Sequence, residues 1–116
     1  MEIDLHGYDP SDVFTDEKFT RLVQQAWEMG EPYLRLIHGH GHNRGISAGF
    51  VNTNTGYFGL CIRSAFRHDR ELRRWIKYST LDCCDAGATE VKLKPNPNPS
   101  RTALDENLLG EPSFAR

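Results

Sequence analysis

The alternation of apolar and polar residues along the chain predicts four strands and two helices. A period of two, typical of half-buried strands, covers or fits residues 3–6, 33–38, 78–82 and 89–94. Helical spacing predicts one helix between the Asp9-Pro10 pair and Gly30. A second helix is predicted over 60–77, with an irregularity near His68. The order βαβαββ predicts an α/β domain in which helices cover a sheet.

Two segments are predicted to lie outside this framework. Residues 39–59 form a polar, glycine-rich loop that exceeds the roughly 12–15 residues usual for structureless connections. Its aromatic residues either pin the loop onto the core or stack on unpaired bases: Phe50, Tyr57 and Phe58. Residues 96–116 are predicted as a Pro/Asn-rich tail beyond a domain over 1–95. A short helix with the spacing to dock on the body is expected around Leu104, Leu108 and Leu109.

Composition favours a single soluble domain. The chain has 116 residues, of which 38% are hydrophobic, and no apolar stretch approaches the roughly 20 residues that span a bilayer. No signal peptide is visible at the start. The cysteines are Cys61, Cys83 and Cys84, without a C-x-x-C pair, which predicts free thiols in a reducing, cytoplasmic compartment.

Charge is unevenly distributed, although the net charge is only −2. The first 32 residues hold eight acidic and two basic residues, whereas residues 33–99 hold ten basic and five acidic residues. Many of the bases crowd one stretch: Arg63, Arg67, Arg70, Arg73, Arg74 and Lys77. Such a patch either attracts a phosphate backbone or forms a solvated helix face paired with Asp69 and Glu71. Charge alone leaves both interpretations open.

The first motif with chemical content is Ile3-Asp4-Leu5-His6-Gly7. Alternate residues of a strand point to the same face, so Asp4 and His6 are expected to lie side by side. A carboxylate beside an imidazole orients it and raises its basicity, which suits a general base. The alternative is a strand end with two satisfied polar residues.

The second motif, Leu36 to Gly45, leaves the second strand and enters a glycine-rich turn. Glycines let the backbone approach an anion, and consecutive amides can form a phosphate nest. The expected binding groups are Gly39, Gly41, His38, His40, His42 and Arg44. If the first two strands are parallel neighbours, both motifs open on one edge of the sheet, where α/β domains bind ligands. A zinc site formed by His6, His38, His40 and His42 is the competing interpretation.

Together these motifs resemble those of the small MutS-related (Smr) domain family. The family has an L-D-x-H motif near its start and an H-G-x-G or T-G-x-G motif after its second strand, and residues 87–93 resemble its closing G-A-T-x-V-x-L segment. The resemblance implies a two-layer α/β sandwich with a four-stranded mixed sheet and two helices, similar to the C-terminal domain of translation initiation factor 3. It also implies nucleic-acid binding and, in several members, nicking of DNA or RNA. It assigns cleavage to Asp4 and His6, and binding or catalysis to His38, Gly39 and Gly41.

The resulting hypothesis is phosphodiester hydrolysis on DNA or RNA. His6, oriented by Asp4, acts as general base, and His38 or His40 protonates the leaving oxygen. The phosphate-binding residues are expected to be Gly39, Gly41, His42, Arg44, Arg63 and Arg67. The chemistry requires no cofactor, and Mg²⁺ or Mn²⁺ is a further option. The partner is nucleic acid and not a membrane. A non-catalytic module for branched or single-stranded nucleic acid, or a metal-binding histidine loop, are the alternatives.

Overall fold

The computed structural model describes residues 1–39, 56–100 and 108–109. Its elements are β1 (Glu2–Asp4), α1 (Pro10–Phe14), α2 (Lys18–Glu28), β2 (Tyr33–Ile37), α3 (Tyr57–His68), β3 (Ile76–Asp82) and β4 (Ala88–Leu93). Short 3-10 helices join α1 to α2 (Thr15–Glu17) and α3 to β3 (Arg70–Arg74). The predicted order of strands and helices is confirmed. Within this described part, no helix is both long enough and apolar enough to cross a bilayer.

The four strands form one mixed sheet in the order β1-β2-β4-β3. Strand β1 runs parallel to β2, and β4 is antiparallel to both β2 and β3. Asp4 at the end of β1 lies opposite Ile37 at the end of β2, and Ile37 lies opposite Ala88 at the start of β4. We call this side of the sheet the histidine edge, because His6 and His38 follow β1 and β2 there.

One face of the sheet is buried under the helices, so the domain is a two-layer α/β sandwich. Side chains of Leu34, Leu36, Val91 and Leu93 point into the core. The helices contribute a cluster of aromatic rings from Phe14, Phe19, Phe58 and Phe66. Among the described residues no helix covers the opposite face, which carries mostly charged residues.

The first predicted helix begins and ends where the sequence predicts, but the structure divides it into α1 and α2. Asp9 caps it, because its carboxylate accepts a hydrogen bond from the Ser11 amide (3.0 Å), and Gly30 follows its end with φ +79°. The continuous helix that we expected is wrong at Asp16 and Glu17, whose φ angles are 55° and 59°.

Aromatic packing accounts for this break. In a continuous helix, residues five positions apart point about 140° away from each other. The break instead brings the rings of Phe14 and Phe19 to 4.9 Å between centroids. Both rings then join the core, which offsets the cost of the left-handed backbone.

The second helix differs from its prediction at both ends. It begins at Tyr57, not Leu60, so Phe58 lies in the core rather than in a loop, while Tyr57 is exposed. It ends at His68, and Asp69 then caps the 3-10 helix by accepting from the Glu71 amide (3.0 Å). Strand β3 therefore starts at Ile76, earlier than expected. Apolar spacing continues through the 3-10 turn, which is why the pattern resembled one long helix.

The start of the predicted tail lies on the domain. The Asn96 side-chain amide donates to the Trp27 carbonyl (2.9 Å), and the Ser100 amide donates to the Glu28 carbonyl (2.6 Å). These contacts satisfy carbonyls at the end of α2. The first residues of the predicted Pro/Asn-rich tail therefore contact the domain. Leu108 and Leu109 pack on the core, whereas Leu104 lies outside the described residues.

Candidate functional site

The two predicted motifs meet at the histidine edge. His6 follows β1 and His38 follows β2, and both line one cleft of about 250 Å³. Other walls of the cleft are Gly7, Tyr8, Pro10, Tyr57 and Phe58. The parallel pairing of β1 and β2 explains this convergence, because both strands end on the same side of the sheet.

Asp4 orients the backbone that carries His6. Its carboxylate accepts a hydrogen bond from the His6 amide (2.9 Å), which closes a turn directly after β1. Within the described residues, no hydrogen bond or ion pair joins this carboxylate to the His6 ring. The strand itself ends at Asp4, and the Leu5 side chain between the two residues is buried. Both side chains are exposed.

Gly39 packs directly against the His6 ring. Its φ is +73°, and a Cβ atom at this position would lie 3.1 Å from the His6 Cδ2 atom. A side chain at position 39 would therefore strain the backbone and press on the imidazole. The glycine of the second motif thus makes room for the histidine of the first.

The amides after β2 are already engaged. Those of His38 and Gly39 both donate to the Gly87 carbonyl, at 3.1 and 3.0 Å. The expectation that the Gly39 amide holds a phosphate is therefore wrong. Gly7, with φ +101°, offers a donor in its place, because its amide has no hydrogen-bond partner among the described residues.

His38 is a buried, fully oriented imidazole. Only 3% of the residue is exposed. Its Nδ1 donates to the Gly39 carbonyl (2.9 Å), since a carbonyl can only accept. Its Nε2 lies 3.0 Å from the Thr89 hydroxyl, which donates to it in this tautomer. Both ring nitrogens are engaged inside the protein. His38 is therefore not placed to protonate a leaving group, and that predicted role is wrong.

Arg63 is buried and is linked to His38 through the Thr89 hydroxyl. It is 6% exposed, and its Nε donates to the Thr89 hydroxyl (2.9 Å). Its Nη2 donates to the carbonyls of Asp85 (2.6 Å) and Ala88 (3.1 Å). The predicted contact of Arg63 with phosphate is therefore wrong. Hydrogen bonds run without interruption from Arg63 through Thr89 and His38 to Gly39, and we call these four residues the Arg63 chain.

Thr89 is a residue of the site that the sequence motifs did not single out. It occupies an inward-facing position of β4, where Val91 and Leu93 are apolar. A hydroxyl in such a position needs a buried partner, and His38 and Arg63 provide two. The sequence did contain a sign of this role: Thr89 is the polar residue among the inward-facing positions of β4, where Val91 and Leu93 are apolar.

Some of the remaining bases are engaged with neighbouring groups. Arg67 is exposed, and its Nη2 lies 3.8 Å from the Cys83 sulfur. Arg73 stacks over the Tyr78 ring at 4.2 Å, and Arg74 lies 3.8 Å from the Glu71 carboxylate. Part of the predicted basic patch is thus a paired, solvated surface. Arg67 remains a candidate contact for phosphate.

Several predicted site residues lie outside the described part of the chain: His40, Gly41, His42, Arg44 and Phe50. Among the residues that the structure does describe, no three His, Cys, Asp or Glu side chains are grouped so that they could hold a metal ion. The zinc interpretation also loses His38 as a ligand, because both of its ring nitrogens are hydrogen-bonded.

Other titratable groups near the edge have shifted pKa values. A hydrogen bond with the Cys61 thiol raises the pKa of Tyr57 above its ordinary value of 10.0, so the phenol stays neutral at the mouth of the cleft. The Cys84 amide donates to Asp82 (2.9 Å) and lowers the pKa of that carboxyl below 3.8. Asp82 in turn raises the pKa of the Cys84 thiol, and all three cysteines are free.

The fold and the cleft define a two-layer α/β domain with a histidine-lined cleft at the edge of its mixed sheet. Comparison of the chain with protein-family models, with curated proteins and with solved structures finds no match in any of the three.

Proposed function

We propose that this chain is a nucleic-acid-binding domain with endonuclease activity that nicks DNA or RNA at the histidine edge. The observation that carries the proposal is the convergence of an exposed imidazole, His6, and a buried, oriented one, His38, on one cleft. The order of the motifs, which resembles that of the Smr domain family, supports the same function.

His6 is the general base. Its ring is exposed at the cleft, and its position is set by the Asp4 hydrogen bond to its backbone and by its contact with Gly39. Asp4 is therefore a positioning residue that acts through the turn. The base activates water on DNA, or a 2′-hydroxyl on RNA, which is the easier substrate because its nucleophile is internal to the chain.

The Arg63 chain positions the second strand end. It holds His38 and, through it, the Gly39 carbonyl in one arrangement, so that the end of β2 is fixed as far as Gly39. His40, one residue further along, is then the group to which we assign protonation of the leaving oxygen. Gly7 supplies an amide to the phosphate, and Arg67 and Arg44 supply positive charge.

Cleavage assays on two substrates test this assignment. Labelled RNA and supercoiled plasmid are incubated with the protein, each with and without a chelator. We expect His6→Gln to lower the cleavage rate by about 10²–10⁴-fold, the usual contribution of a general base. His68→Gln is the matched control, because His68 is also exposed but lies at the far end of α3. Its rate should equal that of the parent.

Two outcomes would count against the proposal. If His6→Gln and His68→Gln cleave equally fast, His6 is not the base. If the parent binds both substrates but cleaves neither, with Mg²⁺, Mn²⁺ or chelator, the domain is a binding module. The engagement of both His38 nitrogens favours that second candidate, since it leaves one fewer acid at the cleft.

A further inference from the structure

The uncovered face of the sheet carries two cross-strand rows of opposite character. In one row, Arg35 lies opposite Glu2 on β1 and Glu90 on β4. Its guanidinium is 3.5 Å from Glu2, 3.7 Å from Glu90 and 2.8 Å from Asp85. We call this row compensated because each charge has an opposite neighbour, although its three carboxylates outnumber the one guanidinium.

The second row, two residues towards the other end of the strands, is not compensated. Tyr33 on β2 lies opposite Lys92 on β4, and Lys92 lies opposite Lys77 on β3. Like charges placed directly opposite each other destabilise a sheet. Within the described residues neither lysine has an ion pair or side-chain hydrogen bond. A bound anion would relieve the repulsion between Lys77 and Lys92. The uncompensated row is therefore a candidate anion-binding surface.

The uncompensated row lines a hollow of about 510 Å³. Lys94 extends the positive charge beyond the end of β4, and Tyr33 is 39% exposed beside it. Glu31, the acidic residue at the rim, lies 3.7 Å from the amino group of Met1. We call Tyr33, Lys77, Lys92 and Lys94 the lysine end of the sheet.

We propose that the lysine end binds single-stranded nucleic acid. Three ammonium groups, those of Lys77, Lys92 and Lys94, have no ion pair among the described residues and suit a phosphate backbone. An exposed tyrosine beside them offers a ring on which a base stacks. A duplex hides its base faces and cannot use that ring. This goes beyond the proposed cleavage, because it requires only charge and stacking, roughly 13 Å along β2 from the histidine edge. The acidic groups around Arg35 lie between the two sites, so the lysine end is a separate surface rather than part of the cleft.

Fluorescence anisotropy with a labelled oligothymidylate of about 12 nucleotides tests the proposal. The measurements use the full chain with chelator, in which His6→Gln is introduced throughout so that cleavage cannot interfere. We expect Lys92→Glu to weaken binding by at least about tenfold, and Lys92→Gln to reduce the slope of log K against log salt by about 0.7. Arg21→Glu is the matched control, since it makes the same charge change at an exposed position of α2.

Tyr33→Leu separates stacking from charge. We expect it to weaken binding of the oligonucleotide about fivefold or more without changing the salt slope. A blunt duplex of equal length should bind more weakly than the single strand and should be insensitive to this variant. Thermal unfolding of each variant checks that the fold is retained.

Other results would overturn the proposal. Equal weakening by Lys92→Glu and Arg21→Glu would mean that only net charge matters. Heparin binding as tightly as the oligonucleotide, with no effect of Tyr33→Leu on either, would mean a general polyanion surface. Failure of cleavage alone leaves the expected binding results unchanged, so the two proposals fail separately.

Discussion

The histidine edge and the lysine end treat their positive charges in opposite ways. At the histidine edge, Arg63 is buried and donates to a hydroxyl and two carbonyls. At the lysine end, Lys77 and Lys92 lie opposite each other in solvent, with no partner in the described part of the chain. The first arrangement ties charge to the stability of the fold, whereas the second leaves charge available to a ligand. Substitutions at the two ends should therefore affect different properties.

The largest effect is expected for Arg63→Met. This change keeps most of the volume but removes the donor of the buried Thr89 hydroxyl and Ala88 carbonyl, and of the part-buried Asp85 carbonyl. We expect a loss of about 3 kcal/mol in the free energy of unfolding, measured with urea. Arg67→Met, on the same helix but exposed, should cost less than about 0.5 kcal/mol. Similar losses for the two variants would mean that the buried hydrogen bonds of Arg63 do not tie its charge to the stability of the fold.

Gly39→Ala should have the next largest effect. The left-handed backbone and the contact with the His6 ring together should cost about 2 kcal/mol of stability. Adding His6→Ala removes the ring contact but not the backbone strain, so the cost of the glycine substitution should fall without vanishing. Additive effects in this double-mutant cycle would contradict the close approach of the two motifs.

A smaller effect is expected where charges are compensated in solvent. Arg35→Gln leaves Glu2, Asp85 and Glu90 without their shared cation. Because the side chain is 31% exposed, we expect a loss of only about 1 kcal/mol in dilute buffer, and less at high salt. If the loss of stability caused by Arg35→Gln does not depend on salt, the contribution of Arg35 is not electrostatic.

The smallest expected effect has the opposite sign. Lys77→Glu places an acidic residue opposite Lys92, so the free energy of unfolding should rise by about 0.5 kcal/mol. The same variant should weaken binding of the oligothymidylate. A gain in stability with a loss of binding would be the clearest separation of the two properties at this end. A loss of stability would mean that the two lysines do not repel each other.

Much of the fold could be predicted because hydrophobic periodicity reports burial. The strands and the capping by Asp9 and Gly30 follow from local pattern and residue chemistry. The break at Asp16 could not be predicted, because it depends on which aromatic rings meet in the core. Periodicity also could not separate α3 from the 3-10 helix after it, since both continue the apolar spacing.

The meeting of the two motifs at the candidate site was predictable, but the surroundings of their residues were not. The meeting of His6 and His38 follows from parallel strands, and the cleft confirms that they come together. The burial of Arg63 was hidden, because arginine in a basic stretch reads as surface charge until its distant partners on β4 are known. The use of the Gly39 amide by Gly87 likewise joins residues far apart in sequence.

Asp85 forms hydrogen bonds on both sides of the sheet. Its carbonyl accepts from Arg63 on the helical side, and its carboxylate accepts from Arg35 on the open side (2.8 Å). A shift of this one turn would stretch both hydrogen bonds together. Asp85 therefore links the helical layer to the charged face of the sheet.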